Sequence, residues 1–143
     1  KINAEMTKSA DGALVLMKPY SFMNESGIAV QAAMCFFKLK PDALWVLHDD
    51  LDLPFGSHKI QKGRGSAGHN GIESIFTHIN TRDFTRVRIG IANDDKYQEG
   101  AEFVLAPFNK KEQKELPIAL AGITGELLNK IKLPFQPKST HAL

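Results

Sequence analysis

Residues 25–38 place Val30, Ala33, Met34 and Phe37 at i, i+3, i+4 and i+7, one face of a helix, between two short apolar runs, 13–18 (ALVLMK) and 43–48 (ALWVLH). This strand–helix–strand order leaves few topologies. A helix that carries the chain back between two strands predicts a parallel, right-handed βαβ unit. Residues 86–92 (RVRIGIA) alternate strictly, with Val87, Ile89 and Ile91 on one side, and predict another strand. Residues 58–62 read as a short strand after the Pro54–Gly56 turn. Ile72, Ile75, Phe76 and Ile79 predict a helix that starts near Asn70. Further on, Asn109 and Glu112 match a capping box, and Leu116, Leu120, Ile123 and Leu127 form the stripe of a C-terminal helix. Pro117 lies inside that stripe and should kink or divide the helix, and residues 132–143 should fray. The expected architecture is α/β: a single domain with a twisted, mixed, mostly parallel sheet flanked by helices.

Composition removes other classes. The 143 residues are 43% hydrophobic and 24% charged, which suits one globular core. No apolar run exceeds six residues, too short for a membrane span. The one cysteine, Cys35, excludes an internal disulfide framework and fits a reducing compartment, and no Cys/His cluster has zinc-site spacing. Net charge is only +2, but it is unevenly spread: residues 41–56 hold four acids and no Lys or Arg, whereas 57–90 hold six basic residues against two acids. An acidic cluster beside a basic stretch suits a polyanion held near a reactive carboxylate, and it equally suits two solvated faces.

Three polar groups stand where ligands bind in open α/β sheets, beyond strand ends or at a helix start. They are Phe22-Met23-Asn24, the run His48-Asp49-Asp50-Leu51-Asp52, and Gly68-His69-Asn70-Gly71, which closes a loop with four glycines in nine residues (63–71). Each also has a structural explanation: Asn24 and Asn70 as helix caps, the aspartates as turn formers. Together, a carboxylate and two asparagines suit hydrolysis, with one group orienting a base and the others holding water or an oxyanion. Strand alternation puts His48 on the face opposite Asp49, away from the site. For His69 a structural role in tying down the loop is the stronger expectation, with general base the alternative.

With these motifs the sequence resembles bacterial-type peptidyl-tRNA hydrolase. The resemblance runs through Lys18-Pro19 with FMNESG (22–27), HDDLDLPFG (48–56), GSAGHNGIESI (65–75), RVRIGIA (86–92) and FVLAPF (103–108), and so covers essentially the whole chain. It implies cleavage of the ester between a peptide and the 3′-terminal ribose of tRNA, in the cytoplasm, by a monomer with no metal or organic cofactor and no membrane association. It implies that Phe22 and Asn24 belong to the substrate crevice and that Asp49 holds and polarises the catalytic histidine. Asn70 then helps bind the tRNA end and the reacting water, and Lys59, Lys62 and Arg64 meet tRNA phosphates. Gly63-Arg64-Gly65 stands where the family usually has three glycines. The family's GNPG-like and TRHN-like motifs, the second of which carries the general base, have no match here. Residues 1–143 therefore read as a hydrolase domain without its N-terminal strand and helix, with an exposed sheet edge. The competing reading is a non-catalytic RNA-binding relative of the same family. A nucleotide-binding module is weaker still, because the glycine loop lacks the GxxxxGK[ST] pattern.

Overall fold

The computed structural model describes residues 1–94 and 100–131. The order is β1 (Ala4–Lys8), β2 (Val15–Pro19), α1 (Ser26–Phe37), β3 (Trp45–Pro54), β4 (His58–Lys62), α2 (Asn70–Ile79), β5 (Thr85–Ala92), α3 (Gly100–Leu105) and α4 (Lys110–Ile131), with 3-10 turns at Met23–Glu25 and Pro41–Ala43. The expected mixed sheet flanked by helices is present. Its central strand is β5, parallel to β3 on one side and antiparallel to β4 on the other.

The pairing of the first strands differs from the expectation. β2 is not the parallel neighbour of β3; it forms an antiparallel two-stranded ribbon with β1, in register from Ala4 opposite Pro19 to Lys8 opposite Val15. Nor is β2 fully buried. Met17 packs against the core, whereas Leu16 is 58% exposed. The short apolar run concealed a half-buried ribbon, which periodicity alone does not separate from a buried strand. The parallel character of the fold therefore rests on β3 and β5, and β3 has a partner on one side only among the described residues.

Two apolar clusters fix the sheet between helices. On one face Val30 and Met34 of α1 meet Ile72, Ile75 and Phe76 of α2 around Phe84, and Val46 of β3 packs against them. On the other face Val87 of β5 meets Ile123 and Leu127 of α4, joined by Trp45, Ile60 and Ile89. Adjacent residues of β3 thus serve opposite clusters, as the pleat requires. The even-numbered Val46, His48 and Asp50 face α1 and α2, and the odd-numbered residues face the α4 side.

The capping box forms as expected: Asn109 N–H donates to Glu112, and Glu112 N–H donates to Asn109, each at 2.9 Å. α4 then runs unbroken through Pro117. Pro117 is exposed, so water can take up the carbonyl that its missing N–H leaves free. Within the stripe Ile123 and Leu127 are buried, but Leu120 is 40% exposed. Residues 132–143, expected to fray, lie outside the described residues.

Candidate active site

The helix pair brings two of the motifs together. Gly27, in the first turn of α1, donates its N–H to Ser74 Oγ of α2 at 3.0 Å. A Cβ at Gly27 would lie 2.1 Å from the Ser74 carbonyl oxygen, so only glycine permits this approach. At Gly71, one turn earlier in α2, a Cβ would lie 2.6 Å from Met23 Sδ, so the flexible Met23 side chain would have to shift. Met23 therefore rests on the start of α2 and sets its neighbour Asn24 beside the turn that carries Asn70. Neither asparagine caps a helix. Asn24 lies inside the 3-10 turn without a side-chain cap, and Asn70 is the first residue of α2. Both side chains are exposed, as is Phe22 at 81%.

The cap of α2 is His69. Its Nδ1 accepts from Gly71 N–H at 3.1 Å and Ile72 N–H at 3.3 Å. Two backbone donors at one nitrogen leave the ring proton on Nε2, which donates to Asp49 Oδ1 at 2.9 Å. The expected structural role of His69 thus takes a specific form: one imidazole joins the helix bearing Asn70 to the strand bearing Asp49. In this tautomer neither ring nitrogen can take a proton from water. The hydrogen bond from His69 is the main reason why the Asp49 carboxyl lies below the usual carboxylate range, and it outweighs the opposing effect of burial.

His48 is not remote from the site, which corrects the reading from strand alternation. Its ring sits edge-on to that of His69, with centroids 4.8 Å apart. Alternation does put His48 and Asp49 on opposite faces. The His69 ring nevertheless touches both residues, bonding Asp49 through Nε2 and meeting the His48 ring. His48 Nδ1 lies 2.8 Å from the Asp49 carbonyl oxygen, which can only accept, so the proton is on Nδ1. The two histidines therefore hold opposite tautomers.

Burial pushes the His48 pKa down from 6.5 to about 4, against a smaller opposing contribution from its bond to the Asp49 carbonyl. The unfolded chain then binds the extra proton first, and the stabilisation from neutral His48 is complete above pH 6.5 and lost as pH falls to about 4. The expected loss is about 2–3 kcal/mol, and His48→Gln should flatten the slope of urea-unfolding free energy over that interval.

Asp50 is turned away from Asp49 and holds Arg88, whose Nε lies 2.5 Å from its carboxylate. Burial opposes its ionisation, but bonds from Arg88 and from the Asp52 N–H (2.8 Å) bring its pKa below the ordinary value. The glycine-rich loop is tied from both ends. Ser66 Oγ donates to Glu73 and accepts from Gly68 N–H at 3.1 Å, and Arg86 donates to the Gly65 carbonyl at 2.7 Å. The basic trio is divided. In the β4–β5 register Lys59 stands opposite Arg88 on the α2 side, whereas Lys62 pairs with Asp83 at 3.7 Å and Arg64 is exposed in the loop. No group of three or more His, Cys, Asp or Glu that could hold a metal occurs among the described residues.

Sequence reasoning missed the parts played by Arg86, Arg88, Ser66 and Ser74. A signal was available for the arginines. In RVRIGIA they alternate with Val87 and Ile89, so in a sheet covered on both faces they must point inward and need acceptors.

Comparison with known proteins places this geometry. The family model described as peptidyl-tRNA hydrolase matches residues 1–136. The chain belongs to the peptidyl-tRNA hydrolase family. The peptidyl-tRNA hydrolase of Frankia casuarinae is 45% identical over 114 residues, which are 80% of this chain and 58% of that protein. That of Nocardia farcinica is 42% identical over 134 residues, 92% of this chain and 69% of the relative. A crystal structure of a peptidyl-tRNA hydrolase with N-propanol superposes with a TM-score of 0.72 at 30% identity, covering 91% of this chain and 64% of its own. The Acinetobacter baumannii peptidyl-tRNA hydrolase gives 0.68 at 27%, covering 90% and 70%. The chain thus spans roughly half to three quarters of these curated peptidyl-tRNA hydrolases, from 48% of the Sorangium cellulosum protein to 76% of the Mycolicibacterium gilvum one.

Proposed function

We propose that this chain carries the aspartate and asparagine part of an esterase that hydrolyses the bond between a peptide and the 3′-terminal ribose of tRNA. The observation that carries the reading is the bond between His69 and Asp49, which fixes an ionised carboxylate beside the N-terminus of α2 and its exposed Asn70. A carboxylate fixed by one imidazole is suited to orient and polarise a second, basic one. The dipole at a helix start favours the negative charge that develops on the ester oxygen. Asn24 and Phe22 form the exposed wall next to Asn70, suited to the peptide and the terminal nucleoside. The matched relatives are named peptidyl-tRNA hydrolase, so a non-catalytic RNA-binding role is not favoured. Function as a cytoplasmic monomer is part of the same proposal. Among the described residues no helix is long and apolar enough to cross a membrane.

Release of labelled peptide from peptidyl-tRNA tests the reading. Because His69 is locked as cap and donor, and residues 1–143 hold no TRHN-like motif, turnover by this chain alone should be at least ~10²-fold below that of the complete Nocardia relative. Rates equal to the relative would make His69, freed from its cap, the base.

Lys59 should contact tRNA phosphate. Lys59→Ala is expected to weaken tRNA binding without sequence preference and to reduce the salt slope by roughly 0.7–0.9. Lys62→Ala should change it less, because Asp83 already balances that charge. Fluorescence titrations at several salt concentrations decide both, and an unchanged slope removes Lys59 from the interface.

A further inference from the structure

Among the described residues, one buried charge in the site has no counter-ion at hydrogen-bond distance. Arg86 is 3% exposed, and the neighbouring Asp50 is taken by Arg88. The Arg86 donors instead go to backbone: Nη2 to the carbonyls of Gly65 (2.7 Å) and Arg64 (3.4 Å). Nη1 stands 3.5 Å from His48 Nε2, and the guanidinium lies 6.0 Å from the Phe76 ring centre. A guanidinium cannot accept a hydrogen bond, so the side of His48 that faces it must present a lone pair. This agrees with the proton on the other ring nitrogen, which the Asp49 carbonyl requires.

We infer that Arg86 is a positioning residue: it fastens the glycine-rich loop with one nitrogen and, with another, holds His48 as the neutral Nδ1–H tautomer against His69 and the Asp49 peptide. The inference rests on the reading of Asp49 as the carboxylate that serves the chemistry. One side chain thereby links the loop that leads to Asn70 with the strand that presents Asp49. Among the described residues the charged or titratable groups facing His48 are His69 and Arg86, which oppose its protonation, and the Asp49 and Asp50 carboxylates, which favour it and are already paired; the Asp49 backbone favours it through the carbonyl.

The test is ¹⁵N NMR of the histidine rings against pH in the parent chain, Arg86→Lys and Arg86→Met, with amide exchange of residues 64–68 followed in parallel. In the parent His48 should carry its proton on Nδ1 and stay neutral down to about pH 4. In Arg86→Met the His48 midpoint should rise, and the loop amides should exchange at least about tenfold faster. Arg86→Lys keeps the charge but not the fork, so the midpoint should stay low while loop exchange rises. A parent His48 protonated on Nε2, or an unmoved midpoint in Arg86→Met, overturns the inference. If Arg86→Met does not fold, Arg86→Lys decides: unchanged loop exchange or a raised midpoint overturns it. These readouts do not depend on turnover, so failure of ester cleavage would sink the functional proposal and leave the role of Arg86 standing.

Discussion

Asp49→Asn is expected to lower kcat for peptide release by at least ~10²-fold, measured at saturating peptidyl-tRNA in a hybrid where this chain replaces the matching 134 residues of the Nocardia farcinica relative. Asn keeps the size of the side chain and removes the charge. The structure explains why the loss should fall on kcat and not on folding. Asp49 is only part-buried at 36% exposure, and among the described residues its side chain bonds to His69. An amide oxygen can still accept from His69 Nε2–H, so the cap of α2 survives. What disappears is the negative charge that would raise the basicity of an imidazole taking a proton from water. A kcat within a few-fold of the parent would remove Asp49 from the chemistry.

Asp50→Asn should do the opposite: kcat close to the parent, and folding stability lower by about 3–5 kcal/mol, the usual cost of leaving one partner of a buried ion pair alone. Asp50 is 7% exposed and Arg88 17%, so the guanidinium cannot simply turn to water. Gln61 already takes its other donor at 3.1 Å. The amide could still accept the Asp52 N–H, which keeps the strand end in shape while the charge balance fails. Urea unfolding of both variants separates the two aspartates. A large stability loss for Asp49→Asn with none for Asp50→Asn would mean that the faces of β3 are assigned the wrong way round.

Elements whose pattern reflects one dominant contact were legible in the sequence. α2 was readable because Ile72, Ile75 and Phe76 all enter one cluster, and β5 because Val87 and Ile89 share another. The β1–β2 ribbon was not, since AEMTK has only Ala4 and Met6 as an apolar alternation and its stability comes from pairing with VLMKP and from Met17 on the core. At the site, residue types pointed to Asp49, Asn24 and Asn70 because amides and acids at strand ends and helix starts are poorly explained by packing. Their connections could not be read. The link from Asp49 to His69 spans twenty positions, which no local rule anticipates. Alternation placed the Cβ of His48 correctly and still misled, because a ring reaches further than the pleat.

The contact of Gly27 with Ser74 ties two sequence segments 47 positions apart at a separation that tolerates no added carbon. Glycine within a helix costs roughly 1 kcal/mol of intrinsic helix stability against alanine. In return, the distance from Asn24 to Asn70 becomes a property of how two helices dock, not of how two loops settle. The 3-10 turn that carries Asn24 and the core cluster of α1 and α2 are then one mechanical unit: the asparagines come into register when the helices associate and part when they separate. The Gly27 amide should therefore exchange with solvent only through separation of the helix pair, and its protection factor reads directly how often the two asparagines lose their alignment.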